Sequence, residues 1–280
     1  MAKLTSSLAA LAMTLCGPVL ADCGPSPDAC EVEGGTYHLR LPDGDTQGAI
    51  MFLHGWGSSG AASLGNRRWV PQALAAGYAV IAPNGMPREG RNGRRWNFHP
   101  DWPQDRDDIA FLQNVRDDAA ARFDLDPGGI ALGGFSIGGS MTHYVACAVP
   151  DAFAAYIPVA GAFWRPDFER CAGPVRLLHT HGWRDTTVPL EGRVVRGADV
   201  TDPEAWAQGD VFHAMRLWRI ENGCVQLRAD RFDTDGPFWR RAWDRCTQGT
   251  ALELALFDGG HTVPAGWIDL ALGWLNSLER

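Results

Sequence analysis

The sequence predicts an α/β fold, with one mainly parallel sheet carrying helices on both of its faces. Three observations carry that expectation. Short apolar runs bounded by turn residues recur along the chain, as buried strands do. Longer segments with helical spacing alternate with them, and strand–helix alternation is the pattern of parallel sheets. The 280 residues suit one such domain, and no repeat, low-complexity tract or second domain interrupts them.

In chain order, strands are expected at residues 36–41, 49–53, 79–82, 129–135, 155–160, 175–180 and 252–257. The first of these is a candidate antiparallel edge. Helices are expected at 69–76, 107–123, 138–149, 204–221 and 264–278. Asp107 and Asp108 suit the positive end of a helix dipole. Ile109, Leu112, Val115 and Ala119 then recur at helical spacing and mark that helix's buried face. Trp267 and Trp274, seven apart, mark the inward face of the last helix. Residues 192–209 carry the least pattern and are expected to form a flap.

One motif stands out within this frame. Gly134-Phe135-Ser136-Ile137-Gly138 follows the apolar run Ile130-Ala131-Leu132 and precedes a helix-compatible segment. A strand, Gly-x-Ser-x-Gly and a helix together make a nucleophile elbow, a turn so sharp that only small flanking residues fit, which lifts the serine hydroxyl clear of the sheet. Glycine is abundant in this chain, so the motif alone is weak; its strand–helix context and downstream partners strengthen it.

A hydroxyl needs a general base to act as a nucleophile near neutral pH, and the base needs an orienting acid. The 175–180 strand ends in His181-Gly182-Trp183-Arg184-Asp185, which puts Asp185 on the rim where α/β sheets bind ligands. The C-terminal strand runs into Asp258-Gly259-Gly260-His261, which puts His261 on a flexible turn before the last helix. Ser136 is therefore assigned as nucleophile, His261 as base and Asp185 as acid. Asp258 competes as the acid, but three residues from His261 on one turn it meets the imidazole poorly. The oxyanion donors are assigned to the backbone N–H of Ile137, just after the nucleophile, and of Trp56, in the His54-Gly55-Trp56-Gly57 loop after strand 49–53. His54 is read as a loop brace.

With these residues in place, the chain resembles α/β-hydrolases, in which the catalytic order is Ser, Asp, His. The resemblance rests on the Gly134–Gly138 elbow, His54-Gly55-Trp56-Gly57, Thr180-His181-Gly182 through Asp185 and Val188-Pro189, and Gly259-Gly260-His261 through Pro264. More narrowly, the chain is similar to secreted bacterial esterases of the polyhydroxybutyrate depolymerase and feruloyl esterase group, carbohydrate esterase family 1. The similarity runs from about residue 36 to the C-terminus. It implies a serine ester hydrolase without cofactor or metal, acting as a monomer on an ester substrate that is polymeric or derived from plant cell wall. Trp183-Arg184 before Asp185 departs from the smaller residues expected there. A serine peptidase, an acyltransferase and a silent binding protein of the same fold are the competing readings.

Other features bound the setting. Residues 1–21 read as a secretory signal, with Lys3, an apolar stretch and Val19-Leu20-Ala21 before the cleavage point, leaving a catalytic domain at 22–280. Export to the periplasm or medium follows. The cysteines then remaining are even in number, as an oxidising compartment favours. The simplest pairing is Cys23–Cys30, Cys147–Cys171 and Cys224–Cys246. Lys3 is the only lysine, which excludes Schiff-base, Ser–Lys and P-loop chemistry from the mature chain. A net charge of −8 argues against nucleic-acid binding, and no later stretch is apolar enough to span a membrane. Arg88, Arg91, Arg94 and Arg95 form a solvated turn or a rim attracting acidic groups. A zinc site at His179, His181 and Asp185 is set aside because alternation is expected to turn the two histidines to opposite faces. Of the 12 tryptophans, Trp102, Trp164 and Trp183, with Trp56, are placed on loops around Ser136 as a substrate-binding aromatic surface.

Overall fold

The computed structural model describes residues 29–99, 105–166, 168–195, 197–202 and 204–278. The expected signal segment, Cys23 and Trp102 lie outside the described residues. In chain order the first half comprises β1 (Cys30–Val32), β2 (Gly35–Arg40), β3 (Gly48–Leu53), α1 (Gly60–Leu64), α2 (Val70–Ala75) and β4 (Tyr78–Pro83). There follow the short strands β5 (Met86–Pro87) and β6 (Arg94–Arg95), then α3 (Asp108–Phe123), β7 (Ile130–Phe135), α4 (Ile137–Ala148) and β8 (Tyr156–Val159). The remainder is β9 (Arg176–Gly182), β10 (Arg193–Val194), β11 (Ala207–Gln208), α5 (Val211–Glu221), β12 (Arg231–Asp233), β13 (Phe238–Trp243), β14 (Ala251–Phe257) and α6 (Trp267–Ser277).

A ten-stranded sheet in the order β1-β2-β4-β3-β7-β8-β9-β14-β13-β12 forms the middle layer. Its interior, from β4 through β14, is parallel, and both margins are antiparallel. Interior strands are apolar on both faces because helices cover both. Phe111 and Leu112 of α3, Met141 and Val145 of α4 and Trp218 of α5 pack on one face. Leu64 of α1, Val70 of α2 and Trp267 and Ala271 of α6 pack on the other.

The expected strands all form, with ends shifted by a residue or two. The helix expected from 204 instead starts at Val211. Asp210 caps it, Oδ1 accepting from the N–H groups of Phe212 (2.6 Å) and His213 (3.1 Å). The preceding residues form β11, which pairs with β10, so residues 192–209 contain a hairpin. The antiparallel extension β12–β13 and the β5–β6 hairpin are also absent from the sequence reading. Their strands are short or studded with arginine and show no clean alternation. Two of the expected disulfides, Cys147–Cys171 and Cys224–Cys246, are present, and Cys30 is also disulfide-bonded.

Candidate active site

Four strand ends on one edge of the sheet build the site. At the end of β7 the chain reverses into α4 within a single residue, and Ser136 takes φ 59° and ψ −122°. A side chain rarely adopts that left-handed value without a functional reason. The flanking glycines make the turn possible. A Cβ on Gly134 would lie 2.4 Å from the Gly138 carbonyl oxygen, and one on Gly138 only 2.3 Å from that of Leu53. The elbow is therefore wedged between β3 and its own helix, with Ser136 N–H bonded to Val159 O at 2.9 Å.

The two partner loops leave adjacent strands. β9 and β14 run parallel in register up to Gly182 opposite Phe257. Beyond that point the N–H groups of Trp183 and Arg184 bond to Phe257 O and Gly259 O, both at 2.8 Å, stitching the loops together. Gly182 is obligatory here, since a Cβ would lie 2.4 Å from Gly260 O. The result is one hydrogen-bonded line. His261 Nδ1 donates to Asp185 Oδ2 at 2.7 Å, and His261 Nε2 lies 2.8 Å from Ser136 Oγ. With Nδ1 committed to the carboxylate, Nε2 carries the lone pair, and the Ser136 hydroxyl donates its hydrogen bond to it. Phe135 backs the imidazole, ring centres 4.7 Å apart.

Asp185 Oδ1 accepts from the N–H groups of Thr187 and Val188, both at 2.8 Å. Burial alone would raise its pKa, but the bonds from His261, Val188 and Thr187 outweigh it and hold the carboxyl below its ordinary value. Asp258 instead turns outward to Arg184 at 2.9 Å.

Ile137 opens α4, so its N–H has no intrahelical acceptor. Trp56 follows β3 in a loop held by several groups. His54 is buried, with Nδ1 donating to Gly55 O (2.8 Å) and Nε2 accepting from Gly85 N–H (3.1 Å). Burial lowers its pKa to about 4, which keeps it a neutral brace. Trp96 Nε1 donates to His54 O at 2.9 Å. The β5–β6 hairpin adds a clamp: Gly57 N–H bonds to Arg94 O and Arg94 N–H to Ser58 O. Arg88 stacks over the Trp56 ring at 4.6 Å, and Arg95 engages Asn97 and Asp105. The arginine-rich segment thus holds the Trp56 loop.

Two cavities reach Ser136. The larger, about 660 Å³, is lined by Trp56, Ile137, Trp164, Trp206, Val188 and Val195, together with polar side chains such as Ser140 and Thr187. The smaller, about 400 Å³, lies beside His261, Trp69 and Asn66. Trp183 lines neither; it is 54% exposed and packs edge-on against Trp239 at 5.9 Å. Its place on the wall is taken by Trp206, from the hairpin region that lacked pattern in sequence.

The phospholipase/carboxylesterase family model matches residues 38–196, more than half of the chain. The chain belongs to that family. This α/β-hydrolase is 28% identical over 209 residues to feruloyl esterase B of Piromyces equi, covering 72% of this chain and 36% of that protein. It is 25% identical over 255 residues to a probable feruloyl esterase C of Aspergillus niger, covering 85% and 82% respectively. The chain thus spans about a third of the first relative and most of the second. Among solved structures it is similar to acetyl xylan esterase from Aspergillus awamori, with TM-score 0.61 and 15% identity over 86% of this chain and 93% of that one. At that identity the likeness speaks for the fold.

One expectation about this α/β-hydrolase is corrected. His179 and His181, two apart on β9, share a face, because side chains alternate with period two. Their rings stack, centres 5.2 Å apart, in a buried line. Trp218 Nε1, which can only donate, bonds to His143 Nδ1 at 3.1 Å. His143 Nε2 meets His179 Nδ1, and His179 Nε2 meets His181 Nδ1, both at 2.9 Å. His181 Nε2 ends the line on Val188 O, which can only accept, at 2.8 Å. The two ends dictate every tautomer: each imidazole is neutral and protonated on Nε2. Burial agrees, lowering His143 to about 3, His179 well below its ordinary value and His181 in the same direction. The line braces the Asp185 loop through Val188. Among the described residues no three His, Cys, Asp or Glu side chains are grouped so that they could hold a metal ion.

Proposed function

We propose that the protein is a carboxylic ester hydrolase working through an acyl-enzyme on Ser136. The observation that carries this reading is the single line Asp185–His261–Ser136, with bonds of 2.7 and 2.8 Å, at the mouth of two cavities. His261 takes the Ser136 proton as Oγ attacks the ester carbonyl. The Ile137 and Trp56 N–H groups receive the oxyanion, where a fixed donor lowers the barrier most. His261 then returns the proton to the departing alcohol. A water deprotonated by His261 frees the acid and restores Ser136. Asp185 stays ionised throughout and stabilises the imidazolium.

The Trp56, Trp164 and Trp206 wall favours short acyl, aryl or polymer-linked esters over long-chain lipids. Relatives whose names give feruloyl and acetylxylan esters as substrates lend support. Export is part of the proposal: the 1–21 segment reads as a signal, and the disulfides suit an oxidising compartment. Purified enzyme should be assayed on nitrophenyl esters of graded chain length, methyl ferulate, acetylated xylan, polyhydroxybutyrate film and a triglyceride. Turnover of short or aryl esters supports the reading. Activity confined to long-chain triglycerides rejects the open aromatic cleft, and no ester turnover at all rejects the function.

A further inference from the structure

Asp185 has two imidazoles beside it, and the reaction above uses only one. His261 Nδ1 lies 2.7 Å from Oδ2, and His181 Nε2 lies 3.6 Å from the same oxygen. The His181 and Asp185 side chains are both fully buried. At 3.6 Å the second contact is not a hydrogen bond. A turn of the ring or a second proton on it would nevertheless offer the carboxylate a competing donor, and charge-assisted bonds are the strong ones. Asp185 serves His261 only while His181 is kept from it.

Two bonds at opposite edges of the His181 ring do this. Nε2–H donates to Val188 O at 2.8 Å, which commits the one proton of the neutral imidazole. Nδ1 accepts from His179 Nε2–H at 2.9 Å, so it has no lone pair free for a second proton. Val188 is also a fastening point of the acid loop, because its N–H donates to Asp185 Oδ1 at 2.8 Å. Pro189 follows it, so the adjoining peptide has no N–H of its own. One residue thus joins the His181 ring to the far oxygen of the carboxylate and leaves Oδ2 to His261. The titratable groups acting on His181 are His179 on its own strand, His143 from α4, and Asp185, Glu191 and His261 from the loops. Burial outweighs the Val188 bond and the two acids, and the ring stays neutral.

We infer that His181 is a positioning residue for the reaction: it fixes the acid loop at Val188 and holds its own proton away from Asp185 Oδ2, so that the carboxylate is reserved for His261. This rests on the ester-hydrolase reading of Ser136. His181 lines neither cavity and acts through Asp185, not on the substrate. Its loss therefore reaches the chemical step and leaves substrate binding alone, and it matters only while residue 185 carries a carboxylate.

The test is a double-mutant cycle on 4-nitrophenyl acetate, with His181→Leu introduced into the wild-type and the Asp185→Asn enzymes. In the wild-type background kcat per folded molecule should fall by about tenfold or more, with KM within about twofold. In the Asp185→Asn background the same substitution should change kcat by less than about twofold, because the carboxylate it positions is already gone. A general loosening of the fold would lower both backgrounds alike. A kcat unchanged by His181→Leu, an equal loss in both backgrounds, or a loss confined to KM overturns the inference alone. If the variant does not fold, nitrogen NMR of the histidine-labelled wild-type protein decides. His181 should keep a single proton, on Nε2, from about pH 8 down to about pH 5.5, where an exposed imidazole is mostly charged. A proton on Nδ1, or two protons on the ring within that range, overturns the inference. Absence of wild-type turnover of every ester overturns the ester-hydrolase reading and this inference with it.

Discussion

Ser136, the proposed nucleophile, sits on a strained backbone, and the two features are separable by mutation. Its φ of 59° costs a side-chain-bearing residue about 1–3 kcal/mol, whereas glycine adopts it freely. Ser136→Gly should therefore abolish ester turnover yet raise stability by about 1 kcal/mol, read as a higher urea midpoint. His261→Ala should lower kcat by roughly three to six powers of ten, with Asp185→Asn retaining somewhat more activity. Trp183→Ala should leave kcat/KM for aryl esters within about twofold, because the ring lines neither cavity. Trp164→Ala and Trp206→Ala should each lower it by more. The Asp185–His261–Ser136 line was legible in sequence because each member sits at a strand end beside glycines that permit close approach. Trp206 was not, since its place on the cavity wall depends on a hairpin held to the Trp164–Arg165 segment by contacts distant in sequence.

The elements themselves divide along the same physical boundary. Interior strands such as β3 and β7 were readable because burial on both faces demands unbroken apolar runs. β12 and β13 lie at the margin, where Arg231, Arg240 and Arg241 can stay in the sequence without cost, and that hides them. The start of α5 is decided by its Asp210 cap and not by apolar spacing, which is why a helix from 204 was a misreading. Asp210→Ala should destabilise the protein by about 1 kcal/mol without altering chemistry at Ser136, as measured by unfolding and by turnover of a small acetate ester. The disulfides Cys147–Cys171 and Cys224–Cys246 followed from nearest-neighbour pairing alone. Replacing Cys147 and Cys171 together by alanine should cost about 2–4 kcal/mol.

At the scale of the molecule, a buried line of neutral imidazoles ties the core of the sheet to the acid loop, and it sets a pH limit. His143, His179, His181 and His54 all have pKa values depressed by burial in the folded state. Once unfolded they titrate near 6.5, so below that pH the unfolded chain binds protons that the folded one refuses. Stability should thus be level above about pH 7 and fall as pH drops from 6.5 towards 4, by up to about 1.4 kcal/mol per pH unit for each histidine. Urea midpoints at pH 7.5 and 5.5 measure this, and a midpoint unchanged or higher at pH 5.5 contradicts it. The line is hidden in sequence because only His179 and His181 share a strand face, while His143 joins from α4 and Trp218 from α5. The general architecture needed no such long-range knowledge, since strand–helix alternation is local. The central claim is acyl transfer through Ser136, and the most direct measurement is mass spectrometry of protein treated with an activated organophosphonate ester. One adduct per chain on the peptide carrying Ser136, formed in step with loss of ester turnover and absent in His261→Ala over the same time, is the predicted result. Labelling of a different serine, or full loss of turnover with Ser136 unmodified, would contradict it.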